Sequence, residues 1–234
     1  MSIHGMMTTA TSPANVGSQR APSRLKVIIT ALEVLLLYAG ILLYIWRWQF
    51  SYPRTWIVLL CGVVGSHLLH RDTLERLGLT FHNLRAGSQV ILPLATALCL
   101  PVFFYSLWSG RLTALPPTRR VLTSFAAYSL WCLFQQYVMQ SYFHNRLMSF
   151  LPNRHVSSLV VAVMFGAAHI PNPILMIATT GGGFILAEVF ARHRSILPLA
   201  LAQAVGGFMI AALSPASLIH NMRVGPGYFF FGLR

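Results

Sequence analysis

The feature that most constrains this chain is a series of apolar segments, several long enough to cross a bilayer as one helix, joined by short polar links. Of the 234 residues, 56% are hydrophobic and only 9% are charged, whereas an ordinary soluble domain has about 25% charged residues. The four acidic residues are too few to cover a water-facing surface of this size. The sequence therefore predicts an all-α fold, a polytopic bundle of transmembrane helices whose outer surface meets lipid.

Seven membrane spans are predicted, with six or eight as alternatives. The segment 70–87 differs from them because leucines and a phenylalanine lie on one side and charges on the other, which predicts an amphipathic helix in the membrane interface. The segments beginning near 156 and 174 are short enough to be tilted or partly re-entrant. The seven spans are predicted at about residues 27–46, 56–70, 88–108, 121–146, 156–170, 174–191 and 196–213.

One transmembrane domain is expected over residues 24–213. The polar tail 1–23 is expected to be disordered, and the aromatic tail 214–234 to fold against the interface. The net charge is +13, but the basic residues occur in ones, twos and threes between apolar runs. That distribution favours lipid headgroups over nucleic acid as the partner. A small excess of Lys and Arg on the N-terminal side favours a cytoplasmic N-terminus in a cell (inner) membrane.

The cysteines and one histidine pair were considered as binding residues. Cys61, Cys99 and Cys132 are odd in number and far apart within apolar runs, so we expect them to pack between helices instead of forming disulfides. His67 and His70 have the spacing of a ligand pair, but a metal site needs a third ligand. An interfacial position explains these two histidines better.

Polar residues inside spans are the best pointers to function, because a polar side chain in lipid is costly. Gln136, Gln140 and His144 recur every four residues and are expected to share one helical face, with Gln135 beside it. Two interpretations stay open. These side chains form hydrogen bonds between helices, or they line a polar site inside the bundle.

Four further polar residues lie in or at the ends of spans. His169 ends an apolar stretch, and Gln203 lies in mid-span among small residues. Glu188 lies deep in a span, where it either pairs with Arg192 one turn later or belongs to a polar site. Glu33 lies in the first span without an obvious local partner.

Three short sequences resemble, in order, the motifs of the CPBP family of membrane-embedded proteases, also called the CAAX protease and bacteriocin-processing or Abi family. QQYVMQSYFHNRL (135–147) is similar to the first motif, Glu-Glu-x-x-x-Arg followed by Arg-Leu. FGAAHIPNP (165–173) matches the second motif, Phe-x-x-x-His, and LALAQAVGG (199–207) lies where the third, His-x-x-x-Asn, is expected. The resemblance extends from about residue 70 to 228, with a core at about 70–213, and includes RDTLERLGL (71–79) as the interfacial segment.

The resemblance implies an intramembrane endopeptidase that hydrolyses a membrane-proximal or lipidated peptide. In the family a motif glutamate activates water, and histidines, with or without a metal such as zinc, assist. This sequence departs from that pattern, because amides stand where the general base is expected and an amide cannot accept the proton. The departures are Gln135 and Gln136 for the glutamates, Gln140 for the arginine, Gln203 for the third-motif histidine and Gly207 for its partner; Phe165 and His169 are unchanged.

Several functional interpretations follow from these departures. In one, His169 is the base, Gln135 and Gln136 hold the water, and Gln203 polarises the carbonyl. In another, Glu188 replaces the missing carboxylate. His169 is the only plausible metal ligand, so the cofactor is either absent or a divalent metal. The main alternative is a catalytically silent relative that binds a peptide or membrane partner; a small transporter is the least favoured, since no inverted repeat is evident.

Overall fold

The computed structural model describes residues 23–111 and 118–230 of the chain. Within these ranges it contains seven long helices at the seven predicted positions, and the all-α fold is confirmed. The predicted disordered tail lies outside the described residues except for Ser23. We number the helices α1 (Arg24–Leu43), α2 (Thr55–His70), α3 (Leu84–Trp108), α4 (Thr118–Gln136), α5 (Arg154–Ala167), α6 (Pro173–His193) and α7 (Ile196–Leu213), followed by the short α8 (Ala216–Ile219) and α9 (Pro226–Phe229).

Four of these helices are long and apolar enough to span a membrane: α1 with its continuation to Ser51, α3, α6 and α7. Helices α2 and α5 are apolar but shorter, and α4 does not meet the same criterion. The chain is therefore a membrane protein by length and composition of its helices, and the predicted count of seven spans is not confirmed. Helices α2 (16 residues) and α5 (14 residues) are shorter than a bilayer core requires, and α4 has two arginines near its start and two glutamines at its end, which lower its mean hydropathy.

The interior has two apolar clusters that divide the helices into two groups. One cluster joins α1, α2, α5 and the continuation of α4 after Gln136, around Tyr142, Phe143 and Phe165. The other joins α3, α6 and α7 around Ile91, Phe190 and Leu199. Helix α6 contributes to both clusters and so connects the two groups.

The contact between α5 and α6 depends on small residues. An added Cβ on Gly166 would collide with the Thr180 hydroxyl and approach the Met176 carbonyl oxygen to 3.1 Å. An added Cβ on Gly183 would lie 3.2 Å from the Phe165 ring. Glycine at these two positions lets the helix backbones approach closely, which stabilises helix pairs in lipid by van der Waals packing.

The segment between α2 and α3 is a series of turns, and the predicted amphipathic helix there is wrong. The backbone has a positive φ at Arg71 (53°) and at Gly78 (71°). A right-handed α-helix cannot contain this left-handed conformation, so no helix continues through either residue. The carbonyl groups of this segment are instead hydrogen-bonded to the core. The Ser141 hydroxyl donates to the Leu77 carbonyl (2.5 Å), and the Asn145 side chain donates to the Arg76 carbonyl (2.9 Å).

After Gln136 the chain stays helical. A π-helical segment, Tyr137–His144, and one α-helical turn, Asn145–Met148, form the continuation of α4. All residues from Met139 to Leu147 are buried. Single π segments within α-helices occur often at functional sites. This one follows directly after the first two glutamines of the first sequence motif.

Candidate functional site

A cavity of about 670 Å³ lies between α3, α4 and α7 on one side and α6 on the other. Most of its lining is apolar. Two adjacent glycines of α6, Gly181 and Gly182, border open space, since an added Cβ at either meets no atom within 4 Å. Three of the predicted site residues line this cavity: Gln135 on α4, Gln203 on α7 and His169 after α5.

Three glutamines form a hydrogen-bonded chain at the polar side of the cavity. Gln136 Nε2 donates to Gln203 Oε1 (2.6 Å), and Gln203 Nε2 donates to Gln135 Oε1 (2.7 Å). Both polar atoms of Gln203 are thus occupied. The structure therefore brings together the residues predicted from the first and third motifs, and their partners are one another. We call these three residues the amide chain.

His169 contributes a ring nitrogen to the same cavity. Its Nδ1 lies 2.7 Å from the Phe165 carbonyl oxygen, which can only accept, so Nδ1 carries the hydrogen. Nε2 of the neutral ring is then the acceptor, and it has no hydrogen-bond partner among the residues that the structure describes. The Phe165 ring packs edge-on against the imidazole at 5.0 Å and fixes its orientation further.

Two weaker candidates lie away from the cavity. Gln140 Oε1 accepts a hydrogen bond from His144 Nδ1 (3.0 Å), and His144 Nε2 lies 3.3 Å from the Ser158 hydroxyl. Gln140 and His144 thus share a contact, as their spacing predicted, whereas Gln136 turns to α7 instead. Glu188 does not line the cavity, and its Oε2 pairs with His155 Nδ1 at 3.0 Å instead of with Arg192.

Sequence reasoning missed a second polar region, the charged cluster, which joins α1, α2, the 71–83 turns and the continuation of α4. Its centre is Arg146, only 1% exposed, whose Nη2 lies 2.7 Å from Asp72 Oδ2 and whose Nε lies 3.5 Å from Glu33 Oε1. The cluster comprises Glu33, Ser66, His67, His70, Asp72, Tyr142 and Arg146.

The partners of Glu33, which the sequence did not indicate, lie on two neighbouring elements, α2 and the continuation of α4. The Tyr142 hydroxyl (2.9 Å) and the Ser66 hydroxyl donate to Glu33 Oε1, and His70 Nε2 lies 3.1 Å from Oε2. His67 bonds Asp72 instead, at 2.9 Å. The two histidines therefore serve different carboxylates and are not a ligand pair. The sequence did contain a signal for this cluster. An acidic side chain inside or beside a membrane span is costly unless it is paired, so Glu33 and Asp72 each needed a partner.

Asp72 lies in the turns between α2 and α3, and its side chain is fully buried. Burial alone would raise the pKa of this carboxyl group. Hydrogen bonds from Arg146 and His67, together with the charge of Arg146, outweigh burial and hold the pKa of Asp72 below its usual value. The carboxylate therefore stays ionised and bound to Arg146.

The described residues do not fit a zinc site. Among residues 23–111 and 118–230 there is no group of three or more His, Cys, Asp or Glu side chains that could hold a metal ion. The polar groups that line the cavity are two amides, one imidazole, the Cys99 thiol and the hydroxyls of Tyr128 and Thr179. Only the imidazole and the thiol are good ligands for zinc, which takes at least three protein ligands.

The fold and this cavity define a class: a membrane-embedded helical protein with a polar site inside an otherwise apolar bundle. Comparison with family models narrows the class. Residues 116–209, which contain α4 to α6, most of α7 and the amide chain, match the model described as type II CAAX prenyl endopeptidase Rce1-like. The match agrees with the resemblance to the CPBP, or CAAX protease-like, family found in the sequence and shows that this part of the chain is similar to that family. Searches of curated proteins and of solved structures gave no match.

Proposed function

We propose that this protein binds a membrane-proximal or lipidated peptide segment in the cavity beside the amide chain, and does so without carboxylate-driven hydrolysis. The observation that carries the proposal is the amide chain itself, where neutral hydrogen-bonding groups replace the family's general base. The cavity is large enough for several side chains, and its lining is mainly apolar with a few polar groups on one side. Such a combination is typical of sites for amphiphilic ligands.

One end of the amide chain faces the cavity. Gln135 lines the cavity, and its Nε2 is a donor without a partner among the described residues. A peptide carbonyl can accept from this group, and a ligand that pairs a polar group otherwise left unpaired gains affinity. The other end, Gln136 Oε1, is a buried acceptor outside the cavity lining. If all three amides were turned over, Gln135 would present an acceptor instead, which a peptide N–H complements.

The position of Glu188 also supports binding without hydrolysis. It was the candidate for a replacement carboxylate, but it pairs with His155 and lies outside the cavity lining. No Asp or Glu side chain lines the cavity among the described residues. Without such a carboxylate, the proton acceptor of the family's reaction is missing.

The test is a titration of the protein in lipid nanodiscs with synthetic peptides, with and without a lipid chain. Trp131 lines the cavity, so its fluorescence reports binding, and Trp131→Phe identifies its share of the signal. We expect saturable binding that Gln203→Leu weakens about tenfold, because it removes the centre of the amide chain. Gln89→Leu is the matched control, because Gln89 is exposed on α3 and outside the cavity lining. Equal affinity for both variants and the parent protein would contradict the proposal.

A second candidate function is peptide hydrolysis with His169 as the base, and the bond from His169 to the Phe165 carbonyl favours it. In this reaction Nε2 takes a proton from water as the water oxygen bonds to the peptide carbon. The carbonyl oxygen becomes an oxyanion that Gln135 Nε2 stabilises, because both polar atoms of Gln203 are already bonded. The imidazolium then returns its proton to the leaving amine as the C–N bond breaks.

Mass spectrometry of the same peptides after incubation distinguishes the two candidates. We expect intact peptide and no His169-dependent product. A product that disappears in His169→Ala, and persists with a chelator present, would replace the binding proposal with hydrolysis through an imidazole base.

A further inference from the structure

The C-terminal segment lies outside the part of the chain that matches the family model, yet it forms part of the cavity wall. Residues 219–225, which we call the strap, run from the end of α8 to the start of α9. The side chains of Met222 and Val224 line the cavity together with His169 and the amides. The strap therefore covers a portion of the cavity that the helices alone leave open.

The strap is fastened to the loop that carries His169. Asn172, which is fully buried, donates from Nδ2 to the carbonyls of Ile219 (2.8 Å) and Arg223 (3.2 Å). The Gly225 amide donates to the Ile170 carbonyl at 2.8 Å. These three bonds connect the strap to residues within three positions of His169.

The backbone of the strap is strained. His220, Asn221 and Met222 are three consecutive non-glycine residues with positive φ, at 48°, 50° and 59°. Side chains disfavour this left-handed region, and such a run persists only where surrounding contacts impose it. A segment held in this way relaxes when one of its fastenings is removed.

Gly225 fixes the other end of the strap. Its φ of 55° and ψ of −144° suit glycine only. An added Cβ there would approach the Ile45 carbonyl oxygen and Cγ2 to 3.1 Å. The strap is therefore held between the His169 loop and the end of α1.

We propose that the strap is a closing element of the cavity on the side of His169, and that its release widens access to His169 and Gln203. The proposal rests on the binding function proposed above for the same cavity. Its test needs no ligand, so the failure of one proposal can be told from the failure of the other.

The experiment uses Cys99, which lines the cavity, as a native reporter of access. The protein with Cys61→Ser and Cys132→Ala keeps this single thiol, and a water-soluble maleimide modifies it in nanodiscs at a measurable rate. Asn172→Ser retains a side chain able to cap α6 but is too short to reach both strap carbonyls. We expect it to accelerate modification of Cys99 about tenfold.

Two further variants and one control keep the test decisive. Gly225→Ala displaces the strap without touching Asn172, and Met222→Ala with Val224→Ala removes the covering side chains; both should also accelerate modification. Ser109→Cys in a protein without the native cysteines supplies the control thiol and should react unchanged, because Ser109 is exposed in the link after α3 and outside the cavity lining. Rates within about twofold of the parent in folded Asn172→Ser and Gly225→Ala proteins would overturn the proposal. An equal rise at the control thiol would also overturn it, because it would indicate loosening of the whole bundle.

Discussion

The molecule contains two buried polar regions that solve the same problem differently. The charged cluster keeps ionised groups inside the bundle by pairing Arg146 with Glu33 and Asp72 across three elements. The amide chain contains no ionisable group, and its members bond one another beside an open cavity. Charged side chains are thus present in the cluster that joins the helices. They are absent from the amide chain, where the family resemblance implies a catalytic glutamate. The comparison assigns the first region to holding the helices together and the second to the ligand binding that we propose.

The largest effect is expected from Arg146→Met, which leaves Glu33 and Asp72 buried without their cation. Removing one partner of a buried ion pair costs about 3–5 kcal/mol. The measurement is the free energy of unfolding in detergent. Arg76→Ala is the control, because Arg76 also pairs with Asp72 (3.2 Å) but its side chain is 45% exposed, and such pairs contribute about 0–1 kcal/mol. Similar losses in the two variants would remove the distinction between the regions.

Acidification should weaken the charged cluster and not the amide chain. Because the pKa of Asp72 is lower in the folded state than in the unfolded state, its contribution is fully present above the unfolded pKa, about 3.9. The contribution is lost as the pH falls through the folded pKa. We expect the midpoint temperature of thermal unfolding to decrease at pH values below about 4.

Asp72→Asn is the control for the pH experiment. It should be less stable at neutral pH and depend less on pH in the acid range. The loss on acidification should be smaller than that of Arg146→Met, since a protonated Asp72 still accepts a hydrogen bond. A variant as acid-sensitive as the parent protein would show that another group governs the transition.

Gln203→Leu should reduce stability by about 1–2 kcal/mol, since hydrogen bonds between membrane helices contribute about 0.6–1.7 kcal/mol each and Gln203 makes two. The same unfolding assay measures it. If Gln203→Leu were as damaging as Arg146→Met, the amide chain would be a structural element of equal weight and the proposed division of roles would fail.

The smallest effect is expected from His155→Ala. Its pair with Glu188 (3.0 Å) is at the surface, with His155 53% exposed, so the change in unfolding free energy should stay within about 1 kcal/mol. Peptide binding should be unchanged because neither residue lines the cavity. Reduced affinity in this variant would connect Glu188 to the site after all.

Much of the fold was predictable because it is local. Apolar runs of sufficient length located all seven long helices, and motif order brought Gln135, Gln203 and His169 to one cavity. The charged cluster was not predictable in this way. Tyr142 and Glu33 are 109 positions apart, and Arg146 and Asp72 are 74 apart, so no local pattern joins them. The turns at 71–83 were misassigned for the same reason, since their carbonyls bond Ser141 and Asn145 of a distant helix.

The π-helical segment Tyr137–His144 determines the angle about the helix axis between the glutamines before it and Arg146 after it. Gln135 and Gln136 precede it and face α7, while Arg146 follows it and faces α1 and α2. Each residue of an α-helix turns the chain by about 100°. Deleting one residue within the segment would therefore rotate Arg146 away from Asp72 while leaving the glutamines in place. This stretch of the chain should tolerate substitutions better than any change in its length.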